Sequence, residues 1–436
     1  MKQLTIYENI HFSHIVGGGQ AIGELPDGKK VFAWGVLPNE TATIKQTKKK
    51  ANYIEAVATK ISKKSPERTT PLDPDSYLST SPWQIINFEN ESHYKAALIE
   101  EAFELHNIVL PNPITIFTDN KSSHYRNKIE YSWWWDKEDK KLDLAFFRRG
   151  TKGKVPIEKT SLAMPAISRA SINVRNTLRA RGVEAFSLKS LLIRANQANQ
   201  VIAQLYVKDE DFPSLSHDEL SSLQVDGFEL IYSNPNSPAS IITRRLQQYG
   251  LKSLTDTLLG TPFTYATEGF FQINIPVYEQ TLKDMSEWIT KEAPVVDLYS
   301  GVGSIGLTIS GEDVTLVEVS EHAVKEMKNN IKKLNKSKCA KAILAPSEKS
   351  LDYVNQDATI IVDPPRAGLH KDLIKTLLEK QPHRIIYLSC NPVTQARDIA
   401  LLAKVYGIRE HKGYNFFPRT PHIEHLVILD KIDNQT

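Results

Sequence analysis

The sequence predicts an α/β protein whose C-terminal part is a parallel sheet with helices on both faces. A small β-barrel and a central α+β region precede it. Three observations predict this. Over residues 263–436 four short apolar runs, APVVD, VTLVE, ATIIVD and RIIYLSC, alternate with helical segments, the rhythm of a parallel sheet. Over 1–62, short β-branched or aromatic runs are separated by turn residues, as in a compact barrel. Between them, charged and aromatic strands alternate with helices less regularly. A chain of 436 residues allows roughly two to four domains, and the expected divisions are 1–62, 75–262 and 263–436.

In the first region, Pro26-Asp27-Gly28 and Pro38-Asn39-Glu40 mark turns, and Lys48-Lys49-Lys50 would suit phosphates. Residues 63–82 are rich in Pro, Ser and Thr and read as a linker. Residues 91–108 carry Ala96, Leu98, Ala102, Phe103, Leu105 and Ile108 near helical spacing, on a face free to pack on the C-terminal domain. YRNKIEYSWWW and KLDLAFFRRG read as strands joined by a charged turn. Trp133, Trp134 and Trp135 must point to both faces of the first.

Composition excludes several classes. The chain is 41% hydrophobic and 24% charged, as in soluble globular proteins, and no run of about 18 apolar residues suggests a membrane span. The start lacks the layout of a signal peptide, and two cysteines point to a reducing cytoplasm. They cannot supply a four-cysteine metal or iron–sulfur site. Net charge is +3, yet residues 1–70 carry +5 and residues 121–200 carry +10. That asymmetry points to a polyanion on the first half, although ordinary solvated surface would look the same.

The chemistry lies at the ends of the four runs: Asp297, Glu318, Asp363 and Cys390. Ligands of an open parallel sheet bind beyond the carboxyl ends of its strands, so all four are expected in one crevice. Gly301, Gly303 and Gly306 form G-x-G-x-x-G between the first strand and a helix. Glu318, 21 residues after Asp297, is placed to accept ribose hydroxyls. The two prolines of DPPR fix Asp363 toward the crevice. Cys390 closes its strand before Asn391-Pro392, where a thiol is reachable, although a small apolar residue would also fit there. YNFF and HLVILD read as two further strands joined by PRTPHIE. An antiparallel return would bring Glu424 beside the thiol, whereas His425 reads as structural. Cys339 has no catalytic setting.

With these residues assembled, the chain resembles the S-adenosylmethionine-dependent RNA 5-methyluridine methyltransferases, the uracil-5 enzymes of ribosomal and transfer RNA. The resemblance spans nearly the whole chain. It is carried by the TRAM-like stretch GGGQAIGELPDGKKVFAWGVLPNE, by YRNKIE, FFQIN, DLYSGVGSIGL, DPPRAGL, LSCNP and TPHIE. It implies a Rossmann-like class I methyltransferase sheet behind an OB-like TRAM barrel. It implies transfer of a methyl group from S-adenosyl-L-methionine to carbon 5 of a uridine, by a monomer that binds structured RNA, 23S rRNA rather than tRNA. Cys390 would attack carbon 6 and Glu424 would remove the carbon 5 proton. The family's cofactor contacts fall on Gln272, Tyr299, Gly301, Gly303, Ser304, Glu318 and Asp363. The target base would have to leave its stack.

The chain departs from the family in places. Many relatives hold an iron–sulfur cluster on four cysteines; the matching stretches here, YLSTSPWQII and PIEKTSLAMP, contain none, so no iron–sulfur cluster is expected. Ser304 replaces a common Asn, Ser300 a frequent Cys, and Ala345-Pro346-Ser347 an acidic turn. Two alternatives stay open: a tRNA uracil-5 methyltransferase, and a non-catalytic RNA-binding protein of the same fold. A cytosine-5 enzyme fits less well, because LSCNP lacks that group's Pro-Cys.

Overall fold

The computed structural model describes residues 5–432. Five strands open the chain: β1 (Ile6–Ile15), β2 (Ala21–Glu24), β3 (Lys30–Trp34), β4 (Thr41–Lys49) and β5 (Tyr53–Lys63). They close into a barrel in the order β1-β2-β3-β5-β4, around Phe12, Val31, Ala33, Ile44 and Ile54. Glu40 is buried beneath the barrel's end. It accepts from the backbone of Leu37 and Ser65 and pairs with Arg68. A buried carboxylate needs such partners. Here they tie the segment after the barrel to it, so 63–82 is a pinned connection rather than a loose tether.

Helix Phe88–Glu104 begins where the Asn87 side chain accepts from the Glu89 N–H. Its Ile99, Ala102 and Phe103 enter the core of the C-terminal sheet. The short strand β6 (Ile116–Phe117) joins that sheet's edge. Next come β7 (Lys128–Asp136), β8 (Lys141–Phe147), β9 (Lys154–Ile157), β10 (Leu188–Ala195), β11 (Val201–Val207), β12 (Gly227–Tyr232) and β13 (Arg244–Gly250). They form a seven-stranded sheet ordered β13-β12-β11-β10-β7-β8-β9, with helix Pro165–Ala180 packed on it. Trp133 and Trp135 face its core together, while Trp134 lies on the opposite face, as strand alternation requires.

The hairpin β14 (Leu254–Leu258) and β15 (Thr261–Tyr265) straddles the expected boundary at 262. Leu254, Leu258, Phe263 and Tyr265 pack into the C-terminal core, so the hairpin goes with that part of the molecule.

The remaining strands are β16 (Val295–Leu298), β17 (Val314–Glu318), β18 (Ala340–Leu344), β19 (Thr359–Val362), β20 (Arg384–Ser389), β21 (Tyr406–Tyr414) and β22 (Glu424–Lys431). The sheet runs β18-β17-β16-β19-β20-β22-β21-β6, parallel from β18 to β20, with β22 antiparallel to its neighbours. The four apolar runs became β16, β17, β19 and β20. YNFF, expected to be a strand, contributes only Tyr414. The strand is instead GIREHKGY with its preceding Tyr406, whose charged residues mask its alternation. Among the described residues no helix is long and apolar enough to cross a membrane.

Candidate active site

The loop after β16 is wound by backbone that ordinary residues avoid. Tyr299, Gly301 and Gly303 have φ of 64°, 57° and 85°. A Cβ on Gly301 would meet nothing within 4 Å, so this glycine leaves open space where a ligand can approach. A Cβ on Gly306 would lie 2.5 Å from Leu316 Cδ2 and 2.9 Å from Asp297 Oδ2. Its absence lets helix Ser304–Ile309 sit on the sheet. Glu318 holds the loop from the neighbouring strand end: Oε2 accepts from Gly301 N–H at 3.0 Å and Oε1 from Ser320 N–H at 2.8 Å.

One expectation fails here. Asp297 does not join the crevice. It lies inside β16, fully buried under the loop, and accepts the Gly306 N–H at 2.9 Å. Burial, with Asp363 and Glu318 nearby, pushes its carboxyl up to about 8. It fixes the shape of the loop and does not face a ligand.

Cys390 and Glu424 are brought together by strand register. The last paired positions of β20 and β22 are Ser389 and His425, and Cys390 and Glu424 are the residues just beyond that pair on the two neighbouring chains. Both line a cavity of about 1420 Å³, together with Asp363. Gln272, Tyr299, Gly301 and Glu318 line the same cavity. Ser304 lines a recess of about 30 Å³ beside it, where its hydroxyl is 2.8 Å from that of Tyr278. Gly303 lines neither; a Cβ there would press on Leu307 at 2.9 Å. It therefore serves the loop's winding.

The site holds its protons tightly. Burial pushes the Cys390 thiol up to about 11, helped by the Glu424 and Asp363 carboxyls. Burial likewise pushes Asp363 up to about 7, and it raises Glu424 well above the usual carboxylate range, with Asp363 adding to the effect. The Arg366 guanidinium opposes both shifts at Cys390 and Glu424. Arg366 also lies 3.3 Å from His422 Nδ1. Burial first and Arg366 second hold that imidazole down to about 4, so it is neutral near pH 7 and Nδ1 accepts.

The central region frames the opposite wall. Asn127 donates to the Gln272 carbonyl at 3.0 Å, and Lys128 to the carbonyls of Glu268 and Gly269. Buried Arg194 donates to Gly269 and Phe271 at 2.7 Å each. YRNKIE thus grips the strip that carries FFQIN. Arg126 and His422 line the cavity as well, and sequence reasoning gave neither a role, although both sit inside the motifs YRNKIE and TPHIE.

The stretches 77–86 and 156–165, read above for an iron–sulfur cluster, do meet. Asp73 accepts from Ser161 through its backbone and its hydroxyl, and the two hydrogens of Gln84 Nε2 are shared among Asp73, Ser81 and Ser161, at 3.0, 2.7 and 3.2 Å. This buried polar knot holds 73–84 against 160–161. Among the described residues no group of three or more His, Cys, Asp or Glu is placed to hold a metal ion.

Comparison with known proteins agrees with this architecture. The chain is 28% identical to an uncharacterized RNA methyltransferase of Enterococcus faecalis, over 93% of each chain. It is 27% identical to another from Bacteroides thetaiotaomicron, over 94% of this chain and 99% of that one. The crystal structure of Pyrococcus abyssi tRNA (uracil-54, C5)-methyltransferase, in complex with S-adenosyl-L-homocysteine, superposes with a TM-score of 0.78 at 21% identity. It covers 96% of this chain and 100% of that one, so the whole fold is shared. The family model for tRNA (uracil-5-)-methyltransferases matches residues 90–432. That span holds every residue of the cavity just described, and the chain belongs to the tRNA (uracil-5-)-methyltransferase family.

Proposed function

We propose that the protein transfers a methyl group from S-adenosyl-L-methionine to carbon 5 of a uridine in RNA, through a covalent bond between Cys390 and carbon 6. The observation that carries this reading is that β20 and β22 bring a thiol and a carboxyl, each just beyond their last paired position, to the wall of one cavity.

The cofactor end of the cavity suits a nucleoside sulfonium. Open space over Gly301 admits its body, and the Glu318 carboxylate keeps lone pairs for ribose hydroxyls beyond its two backbone bonds. When bound, the cofactor supplies an electrophilic methyl group. Cys390 adds to carbon 6, which moves electron density to carbon 5, otherwise a poor nucleophile. Arg366 favours the thiolate against the two carboxyls. After carbon 5 is methylated, Glu424 takes its proton, and the carbon–sulfur bond breaks to return the thiolate. A carboxyl raised by burial is a stronger base near neutral pH, which suits this step. Replacing Cys390 by Ala should abolish methyl transfer and leave RNA binding within about twofold. Retained turnover would contradict the covalent route.

The target we favour is 23S rRNA, by the resemblance of the closed N-terminal barrel to a TRAM module. A tRNA target is the second reading: the tRNA enzyme of Pyrococcus abyssi aligns over nearly the whole chain, barrel included. Mapping 5-methyluridine in both RNAs from a deletion strain separates them. Loss from 23S rRNA alone supports the first reading, and loss from tRNA alone supports the second.

A further inference from the structure

Given the roles assigned to Cys390 and Glu424, on which this rests, we propose that Gln395 and His425 are positioning residues that set the spacing between the two. β20 and β22 run side by side up to the Ser389–His425 pair and part there. Cys390 leads into helix Pro392–Leu402, whereas Glu424 is the first residue of β22 and pairs on its other side with Tyr414 of β21. No β20–β22 pair beyond that fork ties the nucleophile to the base.

Gln395 bridges the fork. It is fully buried one turn into the helix that starts two residues after Cys390. Its Nε2 donates to the Tyr387 carbonyl on β20 and to the His425 carbonyl on β22, each at 3.0 Å. With both amide hydrogens spent on carbonyls, Oε1 must accept, and it lies 2.8 Å from His425 Nδ1. The imidazole therefore carries its hydrogen on Nδ1.

Two further neighbours fix the ring. His411 on β21 has its Nε2 2.9 Å from the Asn112 carbonyl, so its hydrogen is there. Its bare Nδ1 rests 3.4 Å from His425 Nε2 and braces the ring without bonding to it. Phe103 meets the same ring edge-on, centroids 5.3 Å apart. Two hydrogen bonds thus join the nucleophile's helix to the base's strand, and a third ties that helix to the nucleophile's strand. Neither Gln395 nor His425 lines the cavity.

This arrangement acts on one step. The uracil adduct is anchored to Cys390, so the reach of Glu424 to carbon 5 depends on the width of the fork. A displacement near 1 Å can cost up to roughly a hundredfold.

The test uses the full chain with RNA and S-adenosylmethionine. Gln395→Leu should lower kcat roughly 10- to 100-fold, hold both KM values within about twofold, and accumulate covalent RNA adduct on denaturing gels. The double variant Gln395→Leu/His425→Leu also removes the imidazole N–H that the single variant leaves unpaired, so it should recover part of the lost stability without recovering the rate. It carries the same comparison if the single variant does not fold. Wild-type turnover in Gln395→Leu, or a rate that returns together with stability in the double variant, would overturn the positioning role. Glu424→Gln is run alongside: no adduct there would defeat the nucleophile–base reading itself, a failure distinct from this one.

Discussion

Burial raises three carboxyls at the C-terminal sheet, Asp297, Asp363 and Glu424, for different ends. Asp363 and Glu424 face the cavity, where raised proton affinity suits acid–base work. Asp297 faces the glycine loop and holds it by one backbone N–H, with its second oxygen unpartnered. Its folded-state value of about 8 lies above the 3.8 of a free aspartate, so the folded state binds this proton more tightly. The contribution to stability is complete below about pH 4 and is lost as pH rises through about 8. Asp297→Asn keeps an oxygen for Gly306 and removes the titration. Urea unfolding at about pH 5 and pH 9 should show a smaller loss of stability in the variant than in the wild type; equal losses would contradict this account. The catalytic candidates were legible because each closes an apolar run or a motif. The withdrawal of Asp297 was not, because a strand-end carboxylate shows its face only when the neighbouring helix is placed.

At the scale of elements, the parallel core was legible from four apolar runs because strands buried on both faces tolerate few charges. β18 and β21 were missed for the opposite reason. KAIL is only half-buried at the sheet edge, and β21 carries Arg409, Glu410 and Lys412. The missed β21 matters to the site, since it sets His411 against His425. The glycine pattern was legible as a motif, but not its division of labour. Gly306→Ala should destabilise the fold by about 1–3 kcal/mol through overpacking against Leu316. Gly301→Ala meets no protein atom and should cost only about 1–2 kcal/mol of backbone strain. It should instead raise the KM for S-adenosylmethionine. Denaturant unfolding with steady-state kinetics checks both, and the reverse ranking would contradict the assignment.

Across the whole molecule, the N-terminal barrel touches the loop that leads into Glu424. The Gly19 carbonyl accepts from Trp83 Nε1 at 3.0 Å, and the Trp83 N–H donates to the Arg419 carbonyl at 3.0 Å. A Cβ on Gly19 would fall 2.1 Å from Pro421 Cβ, three residues before Glu424. The buried pair Glu91–Lys95 grips the same loop, Glu91 accepting the Arg419 N–H at 2.9 Å. The sequence showed a barrel and a linker as separate pieces; a contact between residues 19 and 421 leaves no local pattern to read. Gly19→Ala should slow turnover several-fold by displacing the 419–424 loop, whereas Gly18→Ala, also at positive φ but facing open space, should not. Equal rates in the two variants would separate the barrel from the chemistry. The most direct test of the account is mass spectrometry of the Glu424→Gln protein after incubation with target RNA and S-adenosylmethionine. The account predicts a methylated uridine covalently held on the Cys390 peptide; clean turnover without that adduct, or an adduct on another residue, would contradict it.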